Sequence, residues 1–197
     1  MSDGIRLGLV GGICSGKSTA AAFLRDRGWE VVDADTVAHE VYAPGTKTVE
    51  EIRDAFGADV VLPDGSVDRK ALGALVFGNP DALRKLEALV HPATRVLIAG
   101  RMDQAVARSG RAALEMTLLY RWHEMAVRLD QVIGVRCPDE LRLERLMARS
   151  DLTREQALSR FAAQASQEQI LSPATVVVEN DGMVEDLMRR LAELTGL

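Results

Sequence analysis

The stretch richest in chemistry is Gly11-Gly12-Ile13-Cys14-Ser15-Gly16-Lys17-Ser18, which matches G-x-x-x-x-G-K-[ST] in full. Its glycines let the backbone curl so that successive N–H groups converge on phosphate oxygens, and a helix starting near Lys17 adds the positive end of its dipole. Lys17 is suited to neutralise β- and γ-phosphates, Ser18 to offer its hydroxyl to Mg²⁺, and Thr19 to reach the α-phosphate. Shortly after, Val32-Asp33-Ala34-Asp35 carries two carboxylates. Phosphoryl transfer needs a carboxylate to accept the proton of an attacking hydroxyl or to hold water around Mg²⁺, and Asp33 is placed for either task. Asp35 either works beside it or caps a helix that begins at Thr36.

These groups work only if a scaffold brings them to one edge. The apolar run Ile5 to Val10 ends in glycines and is followed by a periodic segment from Ser18 to Arg27, which reads as strand, glycine turn and helix. Further buried strands are expected at Val31-Val32, Ala112 to Leu114, Val132 to Val135 and Thr175 to Val178, with helical segments between them. Nearly continuous apolar strands alternating with helices indicate an α/β protein with a five-stranded parallel sheet covered on both faces. Ligands of such sheets bind at the carboxyl ends of the strands, where both the glycine loop and Asp33 fall.

Two intervals are longer than the few residues of an ordinary connection. Between Asp35 and Gly110 lie helical patterns at Thr48 to Phe56, Arg69 to Phe77, Asp81 to Val90 and Ala93 to Ala107, with an Asp64-Gly65 turn among them. His91, before Pro92, is positioned to end a helix, because the residue preceding proline avoids αR geometry. Between Pro138 and Ser172 lie two or three polar helices. The expected organisation is one domain over 1–197: a core of 1–35, 110–137 and 173–197, a helical insertion of about 36–109 and a lid of about 138–172.

Helical geometry places Arg142, Arg145 and Arg149 within a ~60° arc, with Leu143, Leu146 and Met147 opposite. One face is expected to pack and the other to present a cationic stripe, either to polyphosphate in the transition state or simply to solvent. Gln164 and Asn180 are able to hydrogen-bond a base or backbone. Cys14, beside Lys17 and a helix N-terminus, is either a tolerated small residue or a redox-sensitive thiol whose oxidation would crowd the phosphate site.

Composition limits the partners. The 197 residues are 47% hydrophobic and 27% charged, and Lys plus Arg is 24 against Asp plus Glu 29, for a net charge of −5. That balance suits a folded globular chain and argues against a general binder of nucleic acid or anionic membrane. Cys14 and Cys137 are too few for a disulfide scaffold and suit a reducing compartment. Met1 to Arg6 lacks the features of a secretory signal, and no apolar run approaches the ~20 residues of a membrane span. A cytoplasmic protein, monomeric or a small homo-oligomer, is expected.

Taken together, Gly-Gly-Ile-x-Ser-Gly-Lys-Ser-Thr followed by Val-Asp-Ala-Asp closely resembles the dephospho-CoA kinase family. Pro44-Gly45, Phe56-Gly57, Asp64-Gly65, Asp68-Arg69, Val76-Phe77, Leu86-Glu87 and His91-Pro92 follow in that family's order, then Arg145, Arg149, Gln164 and Asn180-x-Gly182. The resemblance spans nearly the whole chain. It implies a P-loop kinase fold with an acceptor-side helical insertion and a helical lid. It also implies ATP-dependent phosphorylation of the ribose 3′-hydroxyl of dephospho-CoA, with Mg²⁺. In that reading Asp33, Lys17 and Arg149 are catalytic, and Gly11 to Thr19 with Arg145 and Asn180 hold the nucleotide. Asp35, Arg69, His91 and Gln164 bind the acceptor, and Ser18 and Asp33 serve the metal.

Departures from the family pattern are local. Glu115-Met116-Thr117-Leu118-Leu119-Tyr120-Arg121 stands where a Pro-Leu-Leu-Phe-Glu-like segment is usual, so Thr117 replaces proline and Arg121 an acid. Cys14 replaces a glycine, and Ala174-Thr175 an Ala-Asp pair. The same motifs accommodate a related kinase for another small metabolite or nucleoside, or a nucleotide-binding regulator without transfer activity. No Asn-Lys-x-Asp motif for reading guanine is present.

Overall fold

The computed structural model describes residues 4–196, which divide into two compact units, one of residues up to Asp33 and from Met102 onward, the other Ala34–Arg101. The first unit contains five parallel strands, β1 (Ile5–Val10), β2 (Glu30–Asp33), β3 (Arg111–Glu115), β4 (Gln131–Arg136) and β5 (Val176–Glu179). Their order across the sheet is β2-β3-β1-β4-β5. β1 has the expected bounds, β2, β3 and β4 each extend one residue further at both ends because ladder hydrogen bonds reach the polar flanks, and β5 begins at Val176, one residue later than expected. Thr175 closes the β5 side by donating from Oγ1 to the Val132 carbonyl and accepting the Val132 N–H, at 3.1 and 3.0 Å.

The faces of the sheet are buried by helices. Helix α1 (Lys17–Asp26) packs Ala20, Ala21, Phe23 and Leu24 inward. With Leu187 and Leu191, these residues enclose Leu7, Leu9, Ile133 and Val135 in one apolar cluster. Three helices then occupy the interval expected to be polar and helical: α7 (Asp139–Ser150), α8 (Arg154–Ala162) and α9 (Gln167–Leu171). Capping boxes start two of them, Thr153 with Gln156 and Ser166 with Gln169, each pairing two otherwise unbonded backbone groups with side chains. The C-terminal helix α10 (Val184–Thr195) completes the unit, and α6 (His123–Ala126) lies between β3 and β4.

The second unit comprises α2 (Ala34–Glu40), α3 (Lys47–Phe56), α4 (Arg69–Val76) and most of α5 (Pro80–Ser109). Val41, Val49, Ile52, Val60, Val67, Leu72 and Val90 form its core. Asp64-Gly65 is the expected turn, with the Ser66 N–H donating to Asp64 at 2.8 Å, and Val61 bridges Val67 antiparallel across it. Thr46 and Asp68 cap α3 and α4.

One local expectation is corrected. No helix ends at His91: α5 runs through Pro92 as a single element. The ring removes one backbone donor from the ladder, while Leu86, Leu89, Val90, Ala93 and Leu97 continue one apolar face along the helix against the unit's core. Thr94 Oγ1 donates to the Val90 carbonyl at 2.9 Å next to the interruption. Tertiary burial on both sides of the proline holds the helix together where the local sequence favours a break.

Leu24 is fully buried, whereas Phe77 is 91% exposed. Leu24→Ala is therefore expected to lower unfolding free energy by about 2–5 kcal/mol and Phe77→Ala by no more than about 0.5 kcal/mol, as read from urea denaturation followed by circular dichroism.

Candidate active site

The glycine motif forms the connection between β1 and α1, as its strand and helix neighbours require. Gly16, immediately before the helix, has φ 102°, and Cys14 at the crest has φ 56°, both in the left-handed region where glycine is favoured. The Ser15 N–H closes a turn on the Gly12 carbonyl at 3.2 Å. Gly16 has a second reason to be glycine: a Cβ there would overlap Asn180 Nδ2.

Asn180, one residue past β5, lies beneath this loop. It is 4% exposed, its Nδ2 donates to the Ser15 carbonyl at 2.8 Å, and its backbone N–H donates to Arg136 at 2.7 Å. Asn180 was expected at the nucleotide, and the contact made here is to the backbone of the loop. Gln164 likewise reaches the loop, its Oε1 accepting the Ile13 N–H at 3.1 Å. Ser15 Oγ and Asn180 Oδ1 are buried without hydrogen-bond partners.

The register of the sheet sets the carboxylates. Glu115, the last residue of β3, is level with Leu9 of β1 and with Asp33 of β2. Its side chain is 7% exposed and meets Lys17, with Nζ 2.9 Å from Oε1. Ser18 Oγ donates to the same oxygen at 2.8 Å, and Arg25 lies 3.9 Å from Oε2. Two positive groups and a hydroxyl thus compensate a carboxylate that burial would otherwise disfavour. The structure pairs Glu115 with the lysine of the glycine motif. An acidic residue ending an otherwise apolar strand is the signal that marks it. A serine hydroxyl and a carboxylate oxygen at this separation, beside a second carboxylate in register, form a hard-oxygen donor set that fits a Mg²⁺ retaining several waters.

The arginine stripe does not present as a uniform cationic face. Arg142 is 4% exposed and turns to the loop, Nε donating to the Ile13 carbonyl at 2.9 Å. Arg145 donates to Cys137 Sγ at 3.3 Å. Burial pushes the Cys137 thiol up, and the Arg145 charge pulls partly against it. Arg149, in the last turn of α7, is exposed. The difference arises because α7 packs Leu143 and Leu146 with Ile13, Cys14 and Phe161, and Arg142 sits at the margin of that cluster.

The remaining expected residues belong to the second unit. Asp35 is in the first turn of α2, and His91 lies within α5. Arg69 begins α4 with its guanidinium 5.8 Å from the centre of the Tyr42 ring. Burial pushes the Tyr42 phenol up, opposed by Arg69.

Comparison with known proteins decides the family. The dephospho-CoA kinase family model matches residues 5–186. A dephospho-CoA kinase of Anaeromyxobacter dehalogenans is 44% identical, covering 96% of this chain and 92% of that one. The chain belongs to the dephospho-CoA kinase family. Among solved structures, a Thermus thermophilus protein superposes with a TM-score of 0.77 at 38% identity, covering 98% of this chain and 97% of that one. Dephospho-CoA kinase from Campylobacter jejuni gives 0.73 at 26%, covering 97% and 95%. Where this chain departs from the family pattern, Thr117 donates to the Gly11 carbonyl at 3.4 Å, a long contact that sets the segment after β3 against the phosphate loop.

Asn180→Ala removes the donor from a buried carbonyl and is expected to lower unfolding free energy by about 1–3 kcal/mol. Asn180→Asp, which sets an acceptor against an acceptor, should be worse. Thermal denaturation of the three proteins in one buffer checks the order.

Proposed function

We propose that this chain transfers the γ-phosphoryl group of ATP to the ribose 3′-hydroxyl of dephospho-CoA, giving coenzyme A and ADP. The observation that carries the reading is the convergence of Lys17, Ser18 and Glu115 at the end of the sheet, in a chain of the dephospho-CoA kinase family.

In this reading the loop from Gly11 to Thr19 cradles the triphosphate, with the Ile13 and Ser15 N–H groups kept on Gln164 and Gly12 to hold its shape, and Lys17 leaves Glu115 to bridge the β- and γ-phosphates. Ser18, with Glu115 and Asp33 through water, would hold Mg²⁺, which when bound neutralises charge on the phosphate oxygens. Asp33 accepts the proton of the 3′-hydroxyl as its oxygen bonds to the γ-phosphorus. The bond from that phosphorus to the β,γ-bridging oxygen breaks, and ADP carries away the electron pair. Arg149 stabilises the charge of the transferring group, and Arg145 supports the nucleotide after rearrangement of the lid. Asp35, Arg69 and His91 recognise the acceptor, and Gln164 contributes from the lid side. Both cysteines are free thiols, which suits work in a reducing cytoplasm, and no described helix is long and apolar enough to cross a membrane.

Asp33→Asn should reduce turnover by about 10²-fold or more while leaving ATP affinity within about threefold. The measurement follows ADP and 3′-phosphorylated product by mass-resolved chromatography, with and without dephospho-CoA. Normal turnover by the variant removes Asp33 from the chemistry. ATP binding with no product from the wild-type chain transfers the reading to another acceptor, and directs attention to Thr117 through Arg121.

A further inference from the structure

The crest of the phosphate loop is held by the lid through contacts that neither nucleotide binding nor the glycine motif demands. Ile13 is gripped at both backbone polar atoms: its N–H donates to Gln164 Oε1 at 3.1 Å, and its carbonyl accepts from Arg142 Nε at 2.9 Å. Its side chain and that of Cys14 pack into the apolar cluster of Leu143, Leu146 and Ala157. Arg142 is itself fixed on three further sides. Nη1 donates to Asp139 at 2.7 Å, the guanidinium lies 4.6 Å from the centre of the Phe161 ring, and Nη2 occupies the space a Cβ on Gly12 would need. Gly12 does not have a left-handed φ, so its backbone conformation does not call for glycine.

A guanidinium 4% exposed, whose carboxylate partner Asp139 is 70% exposed, is a costly group to bury for packing alone. Its rigid fork lets it serve a carbonyl and a carboxylate together, which a flexible ammonium cannot do. A loop crest with Cys14 at φ 56° needs outside support to stay in that conformation. All of these groups lie in the first unit.

We infer that Arg142 and Gln164 are positioning residues: they clamp Ile13 and thereby hold the phosphate loop in its anion-receiving shape, and the glycine at position 12 exists to admit Arg142. The inference rests on the loop being the nucleotide site, as proposed above. The clamp acts on binding of the polyphosphate before chemistry, because it fixes the loop's amides without touching the transferring group. It also ties α7 to the crest of the loop at this point.

The test combines calorimetric titration with Mg·ADP, steady-state kinetics with ATP and dephospho-CoA, and amide exchange by nuclear magnetic resonance on the nucleotide-free protein. Arg142→Gln and Gln164→Ala should each weaken ADP binding about tenfold and raise KM for ATP by a similar factor. For Arg142→Gln, turnover at saturation should change by less than about threefold. Arg142→Lys should recover part of the loss. Gln164→Ala, a milder change at a half-buried side chain, should speed exchange of the Ile13 amide and leave Leu9 and Val10 in β1 as protected as before.

A double-mutant cycle then isolates the contact. Gly12→Ala should cost about tenfold in ADP affinity when Arg142 is present and less than about twofold in an Arg142→Ser background. An equal cost in both backgrounds means that position 12 answers to the nucleotide, and overturns the clamp. Unchanged ADP affinity in folded Arg142→Gln and Gln164→Ala proteins overturns it too, as does a loss confined to turnover with KM unaltered. If the wild-type chain itself fails to bind Mg·ADP, the nucleotide reading falls and the clamp with it. Binding by wild type with unaffected variants removes the clamp alone.

Discussion

A loop that aims its amide N–H groups at one anion turns carbonyls the other way, and those facing protein need donors. The rest of this structure depends on meeting that demand. Between β1 and the first turn of α1, Gly12 to Ser15 lie outside both ladder and helix. Asn180 donates to the Ser15 carbonyl, Arg142 donates to the Ile13 carbonyl, and Gln164 accepts from the Ile13 amide. Each comes from a different segment after β4. The loop is therefore shaped before any ligand arrives, which lowers the ordering cost that binding would otherwise carry.

The opposite flank of the loop obeys electrostatics. Lys17 is nearly buried and finds its counter-charge in Glu115, which also accepts from Ser18. A positive group held against a carboxylate is stable without nucleotide; in the reaction proposed above, both would exchange partners as phosphates and a cation enter. Parallel register makes this possible, because β3 lies between β1 and β2 and brings Glu115 level with Asp33. The two carboxylates share one edge while belonging to different connections, so their roles are separable.

Much of the architecture was legible in the residues. Five apolar runs became five strands, because burial on both faces leaves an unbroken apolar signature, and α1, α3 and α4 fall where periodicity placed them. His91-Pro92 misled for a physical reason. Proline's effect on its own helix is local and calculable, whereas the apolar face formed by Leu86, Leu89, Val90, Ala93 and Leu97 stabilises the helix only once a neighbour covers it. Arg142 misled similarly. Helical spacing groups it with Arg145 and Arg149, and only the position of Ile13, Gly12 and Phe161 turns it inward.

What the sequence determined by itself is what neighbouring residues decide together: a strand, a glycine turn and a helix N-terminus within a few residues, with Lys17 and Ser18 at the junction. Chain connectivity alone brings those groups together, so their chemistry can be read locally. Tertiary structure decided the partners of that loop, since Glu115 is 98 residues from Lys17, Arg142 is 129 from Ile13 and Asn180 is 165 from Ser15. No pattern of spacing encodes such contacts. They follow from strand order, from register and from which side of α7 is buried, and these are settled only when the whole sheet and its covering helices pack.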